Sequence, residues 1–257
     1  MGNQAKVISF INEKGGIGKT STCFNVAWEM SKRGLKVLMI DMDGQRANLT
    51  FFCGVEKGED TLTMFNVLYG GKSIYDTIVS VKENLDLVPA TTVTASLNQD
   101  AKIGRMKKAV QSVKEDYDFI FIDVNPTPNW SHVLALSSAD YCVIPMLPDI
   151  ASLEANKGIA ESIEEVKETT NEHLKVLGLL FNKNNNNTNL SKEVARTAEN
   201  MAEALESKVL KTTIRSAVAM SENVVFHMGI TEYRPSSNAA LDIYNLTNEI
   251  LKEVEVQ

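Results

Sequence analysis

Glu13–Thr20, E-K-G-G-I-G-K-T, decides how the rest of this 257-residue chain is read. It follows the apolar run Val7–Ile11 and opens a helix-period pattern that lasts to about Lys32. Strand, glycine loop, helix is the context in which backbone N–H groups turn inward on phosphate oxygens, with the positive end of the helix behind them. The expected nucleotide contacts are Gly15, Gly16, Ile17, Gly18, Lys19, Thr20 and Ser21, with Lys19 on the β- and γ-phosphates and the Thr20 hydroxyl on Mg²⁺. A plain strand–helix turn needs the glycines but neither the lysine nor the threonine. The loop departs from G-x-x-x-x-G-K-[ST] at its first glycine, where Glu13 stands, and a second lysine, Lys14, follows it.

Outward from the loop, apolar runs of strand length alternate with helix-period segments. Strands are expected at Lys6–Asn12, Lys36–Asp41, Leu85–Pro89, Asp118–Asp123, Tyr141–Pro145 and Val176–Asn182. Helices are expected at Thr20–Lys32 with Gly34 as C-cap, at 61–69 up to Gly70-Gly71, at 103–115, Ser152–Asn171, Leu190–Ser207 and Ser237–Glu253. The asparagine run Asn184–Asn187 reads as a loop. This alternation predicts an α/β fold: a mainly parallel twisted sheet with helices on both faces, in one domain over residues 1–257.

Composition narrows the class. Hydrophobic residues make up 44% and charged residues 23%, as in ordinary globular chains. No apolar run spans a bilayer, Met1–Lys6 lacks a signal-peptide pattern, and Cys23, Cys53 and Cys142 form no C-x-x-C pair. A reducing cytosol is the expected compartment. At net charge −7, any nucleic-acid contact has to come from a local patch.

Ligands of open α/β sheets bind at the carboxyl ends of strands. Asp41 and Asp43 stand at the end of the second strand, where paired carboxylates beside a phosphate loop order Mg²⁺ or an attacking water. Asp123 closes an apolar strand in the Walker B layout and is expected to hold Mg²⁺ through a water.

Taken together, these motifs resemble the deviant Walker A ATPases of the ParA, Soj and MinD group, a branch of the P-loop NTPases. The second lysine, Lys14, is the first mark. Asp41–Thr50 resembles the D-x-D-P-Q-x-N signature, with Gly44 where the family has proline, which implies a looser loop. Asp123-Val124-Asn125-Pro126 resembles D-x-P-P with one proline missing. Weaker likenesses run through Ala135–Asp140, Gly178–Leu180 and Ala219–Glu222, so the resemblance covers about residues 6 to 250. It implies ATP and Mg²⁺ as cofactors, Asp43 as the residue needed for hydrolysis, and Lys14 crossing a homodimer interface to the partner's nucleotide. It also implies that Asn182 bonds adenine.

As a ParA-like ATPase the chain is expected to form an ATP-dependent sandwich dimer that binds DNA without sequence preference. A ParB-like partner then stimulates hydrolysis, and the setting is the bacterial nucleoid. The basic residues Lys175, Lys183, Lys192, Arg196, Lys208, Lys211 and Arg215 outnumber the acids between 175 and 215. Among them Lys192, Arg196, Lys211 and Arg215 are the candidates for phosphate contact. The family's I-P-R-N segment reads Ile214-Arg215-Ser216-Ala217 here, with the arginine displaced by one. The alternative is a MinD-like positioning ATPase on a membrane or protein scaffold. Glu253 and Glu255 at the end of the chain disfavour anionic lipid. An iron–sulfur carrier would need paired interfacial cysteines, and a small-molecule ligase on the same fold would differ in its substrate.

Overall fold

The computed structural model describes residues 4–46, 48–127, 129–155, 157–184 and 192–255. In chain order its regular elements are β1 (Lys6–Phe10), α1 (Lys19–Lys32), β2 (Val37–Asp41), α2 (Asn48–Phe52), α3 (Met64–Leu68), β3 (Val79–Lys82) and β4 (Leu85–Val88). There follow α4 (Ile103–Val113), β5 (Phe119–Asp123), α5 (Trp130–Ser138), β6 (Tyr141–Met146), α6 (Ile150–Ala155) and α7 (Lys157–Thr169). The chain closes with β7 (Lys175–Phe181), α8 (Lys192–Ala204), α9 (Ala219–Val225), α10 (Ile230–Tyr233) and α11 (Asn238–Glu255).

The strands form one seven-stranded sheet in the order β3-β4-β2-β5-β1-β6-β7. All pairs are parallel except the β3–β4 hairpin at the edge. Alternate strand residues point to opposite faces, so a strand buried on both faces is apolar throughout. Phe119–Asp123 is such a strand. Phe119 and Phe121 join Ile8, Phe10 and Met39 against α1 and α11, including Phe24, Ile243 and Leu246. Ile120 and Ile122 join Val7, Leu38 and Ile40 against α4, α5, α7 and α8, including Val110, Leu134, Ile163 and Ala198. With helices on both sides, the layered α/β expectation holds.

The departures from the expected elements have local causes. Strand β3 is short and half-exposed, turned back on β4 through Asn84 at φ 60°. The helix expected over Ser152–Asn171 is instead α6 and α7. Near the start of α7, Gly158 lies against the phosphate loop: a Cβ there would stand 2.9 Å from Glu13 Oε2. The helix expected from Leu190 is described from Lys192, and residues 185–187 of the asparagine run lie outside the described residues. Beyond β7, residues 208–215 run along the sheet edge. Leu210 N donates to Leu179 O at 2.9 Å and Ile214 N to Phe181 O at 2.9 Å.

Candidate nucleotide site

The site sits where β1, β5 and β2 end together. Register places Phe10 opposite Asp123 and Asp123 opposite Asp41. The chain leaves β1 through Asn12, which is fully buried. Asn12 Nδ2 donates to Pro145 O at 2.7 Å, and Asn12 Oδ1 accepts from Lys14 N at 2.8 Å. This side chain ties the first turn of the phosphate loop to β6. Sequence reading treated Asn12 only as the end of a strand.

The loop then needs left-handed backbone twice, at Gly16 (φ 75°) and Gly18 (φ 93°), where a side chain would be strained. At Gly18 a Cβ would also stand 2.5 Å from Asn182 Nδ2. Helix α1 starts at Lys19 without a side-chain cap, so its first N–H groups face the mouth of the loop. Lys19 is buried, its Nζ resting 3.3 Å from Lys14 O. Burial pushes its ammonium pKa down, while Asp123 and Asp43 push the other way.

Gly16, Ile17, Gly18, Lys19, Thr20, Ser21 and Asp43 line a single cavity of about 390 Å³. Phe52, Met220 and Val224 give it an apolar wall, with Ser221 beside them. The likeness noted at Ala219–Glu222 therefore falls partly on the cavity itself. Lys14 and Gly15 lie outside the lining. Gly15 faces Pro126, and Lys14 Nζ stands 4.0 Å from Asp149 Oδ1 on the surface.

The carboxylates separate cleanly. Asp41 Oδ1 accepts from Asp43 N at 2.9 Å, and Oδ2 accepts from Thr50 N at 2.9 Å and Thr50 Oγ1 at 2.7 Å. Burial pushes its carboxyl up to about 6 against the pull of those donors. Asp43 Oδ1 caps the following turn, accepting from Gln45 N at 3.1 Å and Arg46 N at 3.2 Å, and the residue lines the cavity. Both oxygens of Asp123 are fully buried with no hydrogen bond of ordinary geometry. Burial and then Asp41 raise its pKa well above the carboxylate range, with Thr20 and Lys19 close enough to pull it down.

A buried carboxylate without donors is costly unless something cationic completes it. Beside it are the Thr20 hydroxyl and the Lys19 ammonium. Among the described residues no cluster of three or more metal-ligating side chains exists. Mg²⁺ takes one or two protein ligands and fills its shell with water and phosphate oxygens, and Asp123 with the Thr20 hydroxyl offers such a donor set. The residues present fit a magnesium nucleotide.

The loop around Gly44 corrects one expectation. Gly44 is not a looser replacement for proline: a Cβ there would lie 2.0 Å from Ala95 N and 2.5 Å from the Thr94 carbonyl carbon. The turn after β2 is pressed onto the 94–95 backbone, and only glycine fits.

A family model described as an AAA domain matches residues 5–176. Soj of Bacillus subtilis, the sporulation initiation inhibitor protein, is 31% identical over 251 residues, covering 95% of this chain and 98% of that one. The chain belongs to the ParA/MinD family of P-loop NTPases. This is a family of partition and positioning ATPases. The solved structures share its fold. MinD from Pyrococcus horikoshii, complexed with Mg-ADP, superposes with a TM-score of 0.77 at 23% identity, over 96% of each chain. Cyanothece apo McdA gives 0.85 at 19% identity, over 96% of this chain and 99% of that one.

At two expected sites of this ParA/MinD chain the structure adds contacts that the sequence does not show. Asn182 lines the cavity, but its Nδ2 donates to Thr22 Oγ1 at 2.9 Å and Gly18 O at 3.4 Å, and its Oδ1 accepts from Lys183 N at 3.1 Å. It fastens α1 to β7 through its amide donor, and its Oδ1, with one hydrogen bond accepted, keeps a lone pair that can accept from a base. The cations of 175–215 do not form one free patch. Arg215 forks onto Asp242, Nε to Oδ2 at 2.6 Å and Nη2 to Oδ1 at 2.8 Å, and Lys208 is paired with Glu253. Lys183 lines the nucleotide cavity. Lys175 opens β7, at the far end of the sheet from the site. Lys192, Arg196 and Lys211 are exposed.

Proposed function

We propose that this chain is a ParA-type ATPase that binds ATP with Mg²⁺, closes into a sandwich dimer and moves or spaces DNA. The observation that carries the reading is the convergence of Lys19, Thr20 and Asp43 at one mouth, with Asp123 buried beside Thr20 and Lys19. Likeness to Soj over nearly the whole chain supports it. So do fold neighbours solved with nucleotide, among them a Cyanothece McdA variant in complex with ATP.

In this reading the phosphates lie on the N–H groups of residues 15–21. Lys19 leaves its resting place on Lys14 O and meets the β- and γ-phosphates. Thr20 and Asp123 hold the metal, which neutralises phosphate charge. Asp43 is held at the mouth by its own turn and orients the attacking water. Lys14, whose surface pairing with Asp149 is weak, reaches the nucleotide of the other protomer. Dimerisation then depends on ATP, because two facing lysine loops repel until phosphates lie between them. A ParB-like partner stimulates hydrolysis, and the setting is the cytoplasm at the bacterial nucleoid.

Lys192 and Arg196, one turn apart on α8, with Lys211 provide the DNA contacts that remain once Arg215 is paired. Each contact is weak, and a dimer doubles them on one body. Fluorescence anisotropy on random duplexes at several salt concentrations tests this. Binding is expected with ATP only, falling steeply with salt. Equal binding with ATP, ADP and no nucleotide, or none in any state, would reject the DNA track in favour of a protein scaffold.

A further inference from the structure

We propose that Arg46 is a second cation on the terminal phosphates of the bound nucleotide, supplied by the same chain as Lys19. The proposal rests on the ATP reading above and adds a residue that neither the motif nor the comparisons assign.

Four observations carry it. Arg46 lines the same cavity as Lys19, Thr20 and Asp43. Its charge is close enough to Lys19 to help push that ammonium's pKa down. Two like charges at one mouth repel until an anion lies between them, so the pair favours a bound phosphate. The turn that presents Arg46 is fixed: its N–H is held by Asp43 Oδ1 at 3.2 Å, Asp43 N by Asp41 Oδ1 at 2.9 Å, and Gly44 is pressed on the 94–95 backbone. Finally, among the described residues no carboxylate lies within ion-pair distance of the Arg46 guanidinium, whereas Arg215, which also lines the cavity, is forked onto Asp242.

Lys14 differs from Arg46 in place as well as pairing. It lies outside the cavity lining, 4.0 Å from Asp149. The consequence is a division of labour. Lys19 and Arg46 recognise the terminal phosphate within one chain, before any partner's Lys14 arrives. A guanidinium suits this task because its planar fork binds two phosphate oxygens at once.

The test titrates fluorescent ATP and ADP analogues with Mg²⁺ at protein dilutions where the chain is monomeric. Wild type, Arg46→Ala, Arg46→Lys and a Lys19→Ala control are compared. Arg46→Ala is expected to weaken ATP by about ten-fold and ADP by less than about two-fold, since one charge-assisted contact to the terminal phosphate is lost. Arg46→Lys should recover part of the ATP affinity, keeping the charge without the fork. If Arg46→Ala leaves ATP unchanged, or weakens ATP and ADP equally, while Lys19→Ala abolishes both, Arg46 has no such role. If Lys19→Ala binds as well as wild type, the phosphate site itself fails, and this proposal with it.

Discussion

Strands β2 and β5 end side by side, in register, each on a fully buried aspartate. Asp41 accepts three hydrogen bonds, which hold the following turn and α2; Asp123 accepts none of ordinary geometry and has the Thr20 hydroxyl as its neighbouring donor. Residue type, depth and strand position are the same, so none of these separates a structural carboxylate from a functional one. What separates them is the set of donors the fold places around each. The Asp41 carboxylate is completed by the protein and that of Asp123 is not, which is the basis for proposing it as the metal ligand.

The largest effect that sharpens this contrast comes from the cation beside it. Lys19→Ala should abolish nucleotide binding, because in the proposed reading its buried ammonium is the first charge to meet the phosphates. Equilibrium titration with a fluorescent ATP analogue measures it, and near-normal affinity would undo the site.

Next comes one chemical change at both strand ends. Asp41→Asn should destabilise by about 1–3 kcal/mol: whichever way the amide turns, the N–H of Asp43 or of Thr50 faces another donor. Asp123→Asn breaks no such bond and removes a buried charge, so the nucleotide-free chain should melt at the same or a higher temperature. Thermal unfolding without nucleotide compares them, and equal destabilisation would erase the distinction. The pH dependence has a definite sign. The Asp41 carboxyl is held at about 6 in the fold against its ordinary 3.8, so its contribution to stability is fully present below 3.8 and is lost as pH rises through 6.

An effect of at most the same size is expected at the turn that follows β2. Gly44→Ala must move the 94–95 backbone or the turn itself, costing about 1–3 kcal/mol. It should also slow turnover, because Asp43 rides on that turn, and weaken ATP more than ADP, because Arg46 rides on it too. A variant as stable and active as wild type would mean the turn yields freely.

Much of this was legible in the sequence. The phosphate loop announced itself because its chemistry is local: glycines, lysine and threonine act within eight residues. The strand ends were legible because apolar runs stop on aspartates. The rest depends on contacts distant in sequence. Pairing of Arg215 with Asp242 joins positions 27 apart, so a local count of charges promised a free cation where the fold supplies a bound one. Gly44 looked permissive because a glycine for proline loosens an isolated loop; only the fold shows the 94–95 backbone against it. Asn12 and Asn182 read as strand ends or ligand contacts, and act as braces because β6 and α1 come within reach. The short edge strand β3 gave four residues of alternation, too few to stand out from a loop.

The distinction between the two strand ends is tested most directly by thermal unfolding with ATP, with and without Mg²⁺, for wild type, Asp123→Asn and Asp41→Asn. Wild type should gain more stability from ATP when Mg²⁺ is present, since only a ligand of the folded state raises the melting temperature. That magnesium-dependent increment should vanish in Asp123→Asn and persist in Asp41→Asn on its lower baseline. An undiminished increment in Asp123→Asn would contradict the assignment of the metal to the unpartnered carboxylate.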